Sequence, residues 1–505
     1  MKTNQLKAGA ALSYVMIIVS NLISLIYTPV MLRVMGQSEY GLYGYVSGFA
    51  SNLSILSFGF GSAYVRNYAK YKKNQDEEGL AGLNGLFITV FCGIGLFALL
   101  VGCGLCTFSD AIFGEKLTVD ELGKAKILLF LMVLNIAVSF PFSVFNSYVT
   151  ASQQFLYQRL SRIIQKLLVP CVTLPLLYMG FGAVGVTVVT LLMTVALGIA
   201  DIVAAMGKFG MRISFKNCDF GLMREIVPFT FFVFLNMIVE QINWSIDRFI
   251  IGRFYGTALV AVYNIGALIN AYYREFSTAI SSVFTPRINN LVVSESNNME
   301  LTQLMTKVGR IQFMFLSLVL SGFFFLGQFF IEKWAGEGYE NAYYVALILM
   351  VPVTIPLCQN IAIEVQRAKN KHQFRAVLYL FMALLNLGMT LYLCPRYGII
   401  GSAAATAFVT VVGNGFIINW FYHCKLGLDM GYYWKDVLKI LPAFILPILA
   451  GIGMNYVIDT TNMLIFVVKG VIYVAVYMVS LWFFAMNDYE KGLIGGVFRK
   501  LRRKA

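Results

Sequence analysis

Two apolar stretches between Pro228 and Pro286 carry ionisable side chains in the middle of membrane-like sequence. In the first, Asn236, Glu240, Asn243 and Asp247 step by four, three and four residues. A helical period of about 3.6 residues stacks them into one polar stripe, with Arg248 following directly. In the second, Tyr263, Asn270, Arg274, Ser277 and Ser281 form a similar stripe, and Arg274 and Glu275 sit deep in apolar sequence. A charge at the centre of a bilayer costs about 2.5–3.5 kcal/mol on insertion scales, so such residues face a bundle interior or a wet cavity. The pair reads as cavity wall, and its chemistry is that of sheltering a polar or charged cargo.

Motifs for bond-making chemistry are missing. The chain has no GxxxxGK[ST], no HExxH and no GxSxG, and only two histidines, His372 and His423. These absences argue against ATP hydrolysis, zinc-dependent hydrolysis and acyl transfer. Cys103 and Cys106 form a CxxC without a second ligand pair nearby, and the eight cysteines mostly lie in apolar runs, so they read as packing residues. No enzyme activity, cofactor or metal is expected.

The elements that must position the stripes follow from composition. Of the 505 residues 59% are hydrophobic and 13% charged, with a mean hydropathy of +0.73, which places the chain among polytopic membrane proteins. Apolar runs of about twenty residues recur along it, giving an all-α integral membrane protein of about fourteen spans. The first run, from Met1, is too long for a signal peptide and lacks a small-residue cleavage site, so it should remain as the first span. Most of the 39 Lys and Arg fall on alternate loops, on the side of both termini. Basic loops stay cytoplasmic, so both termini should be inside. The net charge of +14 is explained by this topology, and nucleic acid is not an expected partner.

Weak internal repeats organise the spans. At an offset of 220 residues Gly36 falls on Gly256 and Tyr43 on Tyr263; at an offset of 216, Arg159 falls on Arg375, Gly182 on Gly398 and Gly185 on Gly401. Two parallel, pseudo-symmetric six-helix lobes follow: residues 1–219 for spans one to six and 220–430 for spans seven to twelve. Residues 431–505 hold two extra spans and a basic cytoplasmic tail. Gly44 and Gly48 have the small-xxx-small spacing that lets helices approach closely.

The stretch PFTFFVFLNMIVEQINWSIDRFIIGRFYGTALVAVYNIGALI, from Pro228, resembles the seventh-to-eighth-span signature of polysaccharide flippases. SFGFGSAYVRNYAKY, from Ser57, resembles the same family's FGxGxAxxR end of the second span. With the span count and the appended last pair, the likeness covers essentially the whole chain. It implies the branch of the multidrug/oligosaccharidyl-lipid/polysaccharide exporter superfamily that flips lipid-linked oligosaccharides in the bacterial plasma (inner) membrane.

A lipid-linked sugar needs a wet path for its diphosphate and rings while its tail stays in lipid. Spans one, two, seven and eight are expected to line that path. Tyr27 in the first span, Tyr43 and Ser51 in the second, and Asn236, Asn243, Tyr263 and Asn270 offer hydroxyls, amides and rings to sugars. Arg33, Arg248 and Arg274 are the candidates for the diphosphate, because a guanidinium stays charged and grips phosphate oxygens with two parallel hydrogen bonds. Glu240, Asp247 and Glu275 are candidates for a coupling proton or sodium ion; the alternative is that Asp247 merely neutralises Arg248 or Arg274. Expected partners are the undecaprenyl-diphosphate-linked oligosaccharide, membrane lipids and, for a coupled carrier, the ion; association with polysaccharide assembly enzymes is left open. A cation-coupled multidrug exporter of the same superfamily is the nearest rival function. A membrane-embedded polymerase or glycosyltransferase is the more distant one, since it calls for a long loop with catalytic carboxylates.

Overall fold

The structure is a computed structural model. It describes residues 2–492 apart from 115, 217, 283, 285–287, 289, 290, 292–297, 370 and 372. The side chains of 2–15, 17, 18, 220, 229, 232, 236, 240, 243, 244, 279 and 282 also lie outside the described residues. All regular structure within this range is helical. In chain order the helices are α1 (Lys2–Ala50), α2 (Phe60–Lys73), α3 (Glu77–Thr107), α4 (Ser109–Phe113), α5 (Val119–Ala151), α6 (Phe155–Tyr178), α7 (Gly182–Val203), α8 (Met223–Tyr255) and α9 (Thr257–Ser282). After them come α10 (Asn298–Ala335), α11 (Asn341–Cys358), α12 (Asn360–Ala368), α13 (Gln373–Thr410), α14 (Ile418–Cys424), α15 (Met430–Leu438), α16 (Ile445–Val457) and α17 (Met463–Phe484).

Among the described residues ten segments are long and apolar enough to cross a membrane. Two of them, Val19–Lys73 and Gln373–Cys424, each hold two crossings, because α1 breaks at Gly36 and α13 at Gly398. With α8 and α9 the set reaches the expected fourteen. The breaks carry the repeat into the backbone. Gly36 (φ 76°, ψ 168°) and Gly256 (φ 81°, ψ −173°) share one conformation, and Gly182 and Gly398 both have positive φ (51° and 62°). A side chain at such a φ is strained, which is why glycine recurs at both copies of each turn.

The chain divides into two compact units, Met1–Asn264 with Ala383–Ser402, and Ile265–Met382 with Ala403–Ala505. In the first unit two carboxylates stitch the ends of neighbouring helices. Glu121 closes a capping box with Thr118 at the start of α5 and also accepts from Ser38 Oγ (2.5 Å) and Thr257 Oγ1 (2.8 Å). Glu39 accepts from Lys124 Nζ (2.8 Å) and from the Ala183 amide (2.7 Å) in the first turn of α7, where orphan N–H groups and the helix dipole favour a negative charge. The turns at Gly36, Gly182 and Gly256 are thereby fixed to one another.

The second span was expected to be one helix from about residue 40, and it is broken. α1 gives way to a 3₁₀ turn at Ser51–Ser57, then Phe58 and Gly59 turn left-handed (φ 48° and 71°) before α2 begins. The local cause is polar. Ser47, Ser51, Asn52 and Ser54 hydrogen-bond back to carbonyls three or four residues earlier, competing with the helical ladder. Beyond the break, α2 is held by Phe60, Tyr64, Tyr68, Phe87, Phe91 and Tyr148, whose rings meet mostly edge-to-face.

In the second unit the tenth span is broken at Gln359, between α11, which holds Pro352 and Pro356, and α12. The freed carbonyls find side chains: Leu357 O accepts from Ser277 Oγ (3.0 Å) and Cys358 O from Tyr433 Oη (2.8 Å). The two extra helices are fastened by a buried ion pair. Arg310 on α10 donates from Nε to Glu490 Oε1 (2.7 Å) and from Nη2 to Glu490 Oε2 (3.1 Å). It also reaches the carbonyls of Asp436 (2.5 Å) and Ala485 (2.8 Å). Both ionic side chains are about 4% exposed.

Breaking a buried pair from one side strands the other charge, at a cost of about 3–5 kcal/mol, whereas replacing both by apolar groups is close to neutral. Arg310→Met should therefore lower the thermal midpoint of the purified protein steeply, and the double variant Arg310→Met/Glu490→Met should restore most of it. Equal midpoints for the single and double variants would contradict this account.

Candidate functional site

The polar break of the second span lies against α8 within the first unit. Ser51 Oγ is 3.1 Å from Ser245 Oγ and donates to Gly48 O (2.8 Å). Gln241 Nε2 donates to Ser51 O and to Ser54 Oγ (3.3 Å), and its Oε1 accepts from Ser245 Oγ (3.0 Å). One helical step further, Arg248 packs its Cβ and Cδ 3.4 Å from where a side chain on Gly48 would begin. Then Gly252 lies under the Tyr45 ring. The face of α8 that meets α1 is thus Gln241, Ser245, Arg248 and Gly252, spaced four, three and four.

That face lies one residue round, about 100°, from the stripe expected through Asn236, Glu240, Asn243 and Asp247. Gln241 and Ser245 were missed, although the same periodicity was present one position on. The side chains of Asn236, Glu240 and Asn243 lie outside the described residues. Arg248 is half-buried, and its Nε is buried without a hydrogen-bond partner. A guanidinium N–H held in this state has a donor available to an incoming oxygen.

A second group surrounds Asp247, which is 3% exposed. Tyr263 Oη donates to Asp247 Oδ2 (2.6 Å), and Thr390 Oγ1 lies 3.3 Å from Oδ1 and 3.4 Å from Asn386 Oδ1. Oxygen atoms from α8, α9 and α13 therefore converge on one buried carboxylate. Asn386 and Thr390 were not singled out in the sequence; they lie at i and i+4 in an apolar helix, a weak version of the same signal. Of the two readings of Asp247, coupling ion or arginine partner, neither is decided by these contacts; a tyrosine and a threonine are found beside it. Next to Tyr263, Asn264 is 8% exposed with its Oδ1 unpartnered.

The other expected residues are dispersed. Tyr27 is half-buried and shares a 2.6 Å hydrogen bond with Thr173 on α6. Tyr43 is half-buried and Arg33 exposed. In the second unit Asn270 is buried with its Oδ1 unpartnered, Arg274 is half-buried, and Glu275 is exposed. Ser277 and Ser281, read as part of a polar stripe, are buried: Ser277 serves the broken tenth span and Gln312, and Ser281 its own helix.

Residues 6–292 match the family model described as polysaccharide biosynthesis protein. The chain belongs to the polysaccharide biosynthesis protein family. A search of curated proteins finds no match. Among solved structures, the fold is similar to a lipid II flippase MurJ in an inward closed conformation, with TM-score 0.74 and 16% identity, over 94% of this chain and 97% of that one. It is also similar to an inward-facing multidrug resistance MATE family transporter of the MOP superfamily (0.62, 14%, 81% and 99%). A third is the MATE multidrug transporter DinF-BH (0.59, 14%, 84% and 95%). This member of the family is a multi-pass membrane protein with the fold of the MOP superfamily.

Close helix approach sets the site in place. A Cβ on Gly41 would lie 1.9 Å from Thr257 O, whereas one on Gly93 meets nothing within 4 Å. Gly41→Ala should cost about 1–3 kcal/mol through overpacking, read as a lowered thermal midpoint, with Gly93→Ala unchanged. Equal midpoints for the two variants would show that α1 and the start of α9 are not in this contact.

Proposed function

We propose that this protein is a flippase that carries an undecaprenyl-diphosphate-linked oligosaccharide from the cytoplasmic to the outer leaflet by alternating access. Three things support the reading: the polysaccharide biosynthesis family, a fold shared with a lipid II flippase over nearly the whole chain, and a polar seam through apolar helices. The observation that carries it is Arg248, a half-buried guanidinium with an unpartnered Nε, set beside the hydroxyls of a broken span. Arg248 binds the diphosphate, and Ser51 and its neighbours offer hydrogen bonds to the sugar.

Coupling is assigned to Asp247. The oxygens of Tyr263, Thr390 and Asn386 around it form a set that suits a proton or a sodium ion. In this reading the chain is a carrier with no catalytic role, lies in the bacterial inner membrane and keeps both termini in the cytoplasm, as the basic loops favour. The multidrug exporter is the second reading, favoured by the MATE-like fold.

Deleting the gene should strand lipid-linked oligosaccharide on the leaflet where it is made, while export of unrelated cationic drugs stays unchanged. Arg248→Ala should fail to restore flipping by roughly ten-fold or more, with Arg248→Lys intermediate. Full restoration by Arg248→Ala would remove the diphosphate role. Asp247→Asn should leave the protein folded and abolish dependence of transport on an ion gradient; unchanged dependence would remove the coupling role.

A further inference from the structure

One end of the second unit gathers four cations, Lys369, Lys371, Arg375 and Lys425. Lys369 and Lys371 are tied to the segment 425–428: Lys371 Nζ donates to Lys425 O (2.7 Å), and Lys369 Nζ donates to Leu426 O (3.2 Å) and to Asn298 Oδ1 (2.6 Å). Arg375 donates to the hydroxyls of Tyr379 and Tyr422, and its guanidinium stacks 4.6 Å from the Tyr379 ring centroid. Among the described residues no carboxylate lies within 4.0 Å of Lys369, Lys371, Arg375 or Lys425, whereas Arg367 nearby does pair with Glu364 (2.9 Å). Burial, and then the Lys371 ammonium, hold the Lys369 pKa below the usual lysine value. Among the described residues these mutually repelling charges have only neutral partners, a cost that a bound anion would relieve.

The surroundings of these cations are apolar and aromatic. Phe374 stacks on Phe421 at 4.3 Å with nearly parallel rings and lies 6.5 Å from Trp420. Trp420, Phe416 and Val377 are 54%, 68% and 70% exposed. Tryptophan at a span end marks headgroup depth, and large apolar side chains beside it suit acyl chains. Cations at that depth meet phosphate rather than bulk water.

We propose that Lys369, Lys371, Arg375 and Lys425 form a binding site for the phosphate headgroup of an anionic bilayer phospholipid, with Phe374, Trp420 and Phe416 against its acyl chains. The site is distinct from the cargo path around Arg248 and does not depend on what the protein transports.

The full chain, purified in dodecylmaltoside, would be titrated with phosphatidylglycerol, phosphatidylcholine or sodium pyrophosphate while its thermal midpoint is followed. Phosphatidylglycerol should raise the midpoint saturably. Lys369→Gln/Lys371→Gln should need roughly ten- to thirty-fold more of that lipid for the same shift. Lys369→Arg/Lys371→Arg should keep the shift, which separates lost charge from damaged folding. Lys72→Gln/Lys73→Gln, at exposed lysines of the first unit, should also keep it. An equal shift with phosphatidylcholine, or with pyrophosphate, would overturn the proposal in favour of general lipid solvation or a soluble anion. Equal weakening by Lys72→Gln/Lys73→Gln would reduce it to unspecific attraction, and loss with the arginine pair would assign it to the hydrogen bonds alone.

Discussion

Every backbone N–H and C=O in hydrocarbon must find a partner within the protein, and most of what is distinctive in this chain follows from that constraint. Unbroken helices satisfy it alone. The second and tenth spans do not stay unbroken, and each break recruits side chains from neighbouring helices. At the second span Gln241 and Ser54 reach Ser51 O; at the tenth, Ser277 and Tyr433 take the carbonyls of Leu357 and Cys358. Polar groups that would be costly in lipid are therefore both the cause of the irregular backbone and the means of stabilising it. Beside the second-span break, Arg248 keeps a buried Nε without a hydrogen-bond partner.

Much of the fold was legible in the sequence because it depends on patterns with long reach. Apolar runs of bilayer length gave the spans. Glycines at constant offsets marked the turns, and the matching φ values of Gly36 and Gly256 show why: only glycine is comfortable there. What could not be read was local. A run of serines looks the same whether it decorates a helix or unwinds it, and Ser51–Ser57 does the latter through its own back-bonds and the left-handed pair Phe58 and Gly59. The rotation of a helix about its axis is equally hidden. The polar residues of α8 could be placed on a stripe, yet which of two stripes a single step apart meets α1 depends on packing against Gly48. Sequence placed Asp247 among charges; the neighbours that hold it, Tyr263 and Thr390, are brought together by tertiary structure across residues far apart in the chain.

Similarity of fold at 14–16% identity shows how little side-chain detail this architecture needs. In this chain the architecture rests on length, apolarity and the few glycines that permit close crossing or reversal. Chemistry in such a family is accordingly read from sites such as the one around Arg248, and the outline of the molecule says only where to look.

The clasp between Arg310 and Glu490 joins residues 180 positions apart. At translation rates of about 5–20 residues per second, the arginine emerges roughly ten to forty seconds before the glutamate that neutralises it. Until then the only other carboxylate near this cation among the described residues is Asp436, with its Oδ2 at 3.8 Å, so the two-pronged grip on the ninth crossing is incomplete. The clasp thus acts as a keystone in biogenesis: it closes on the ninth crossing only once residue 490 has been made.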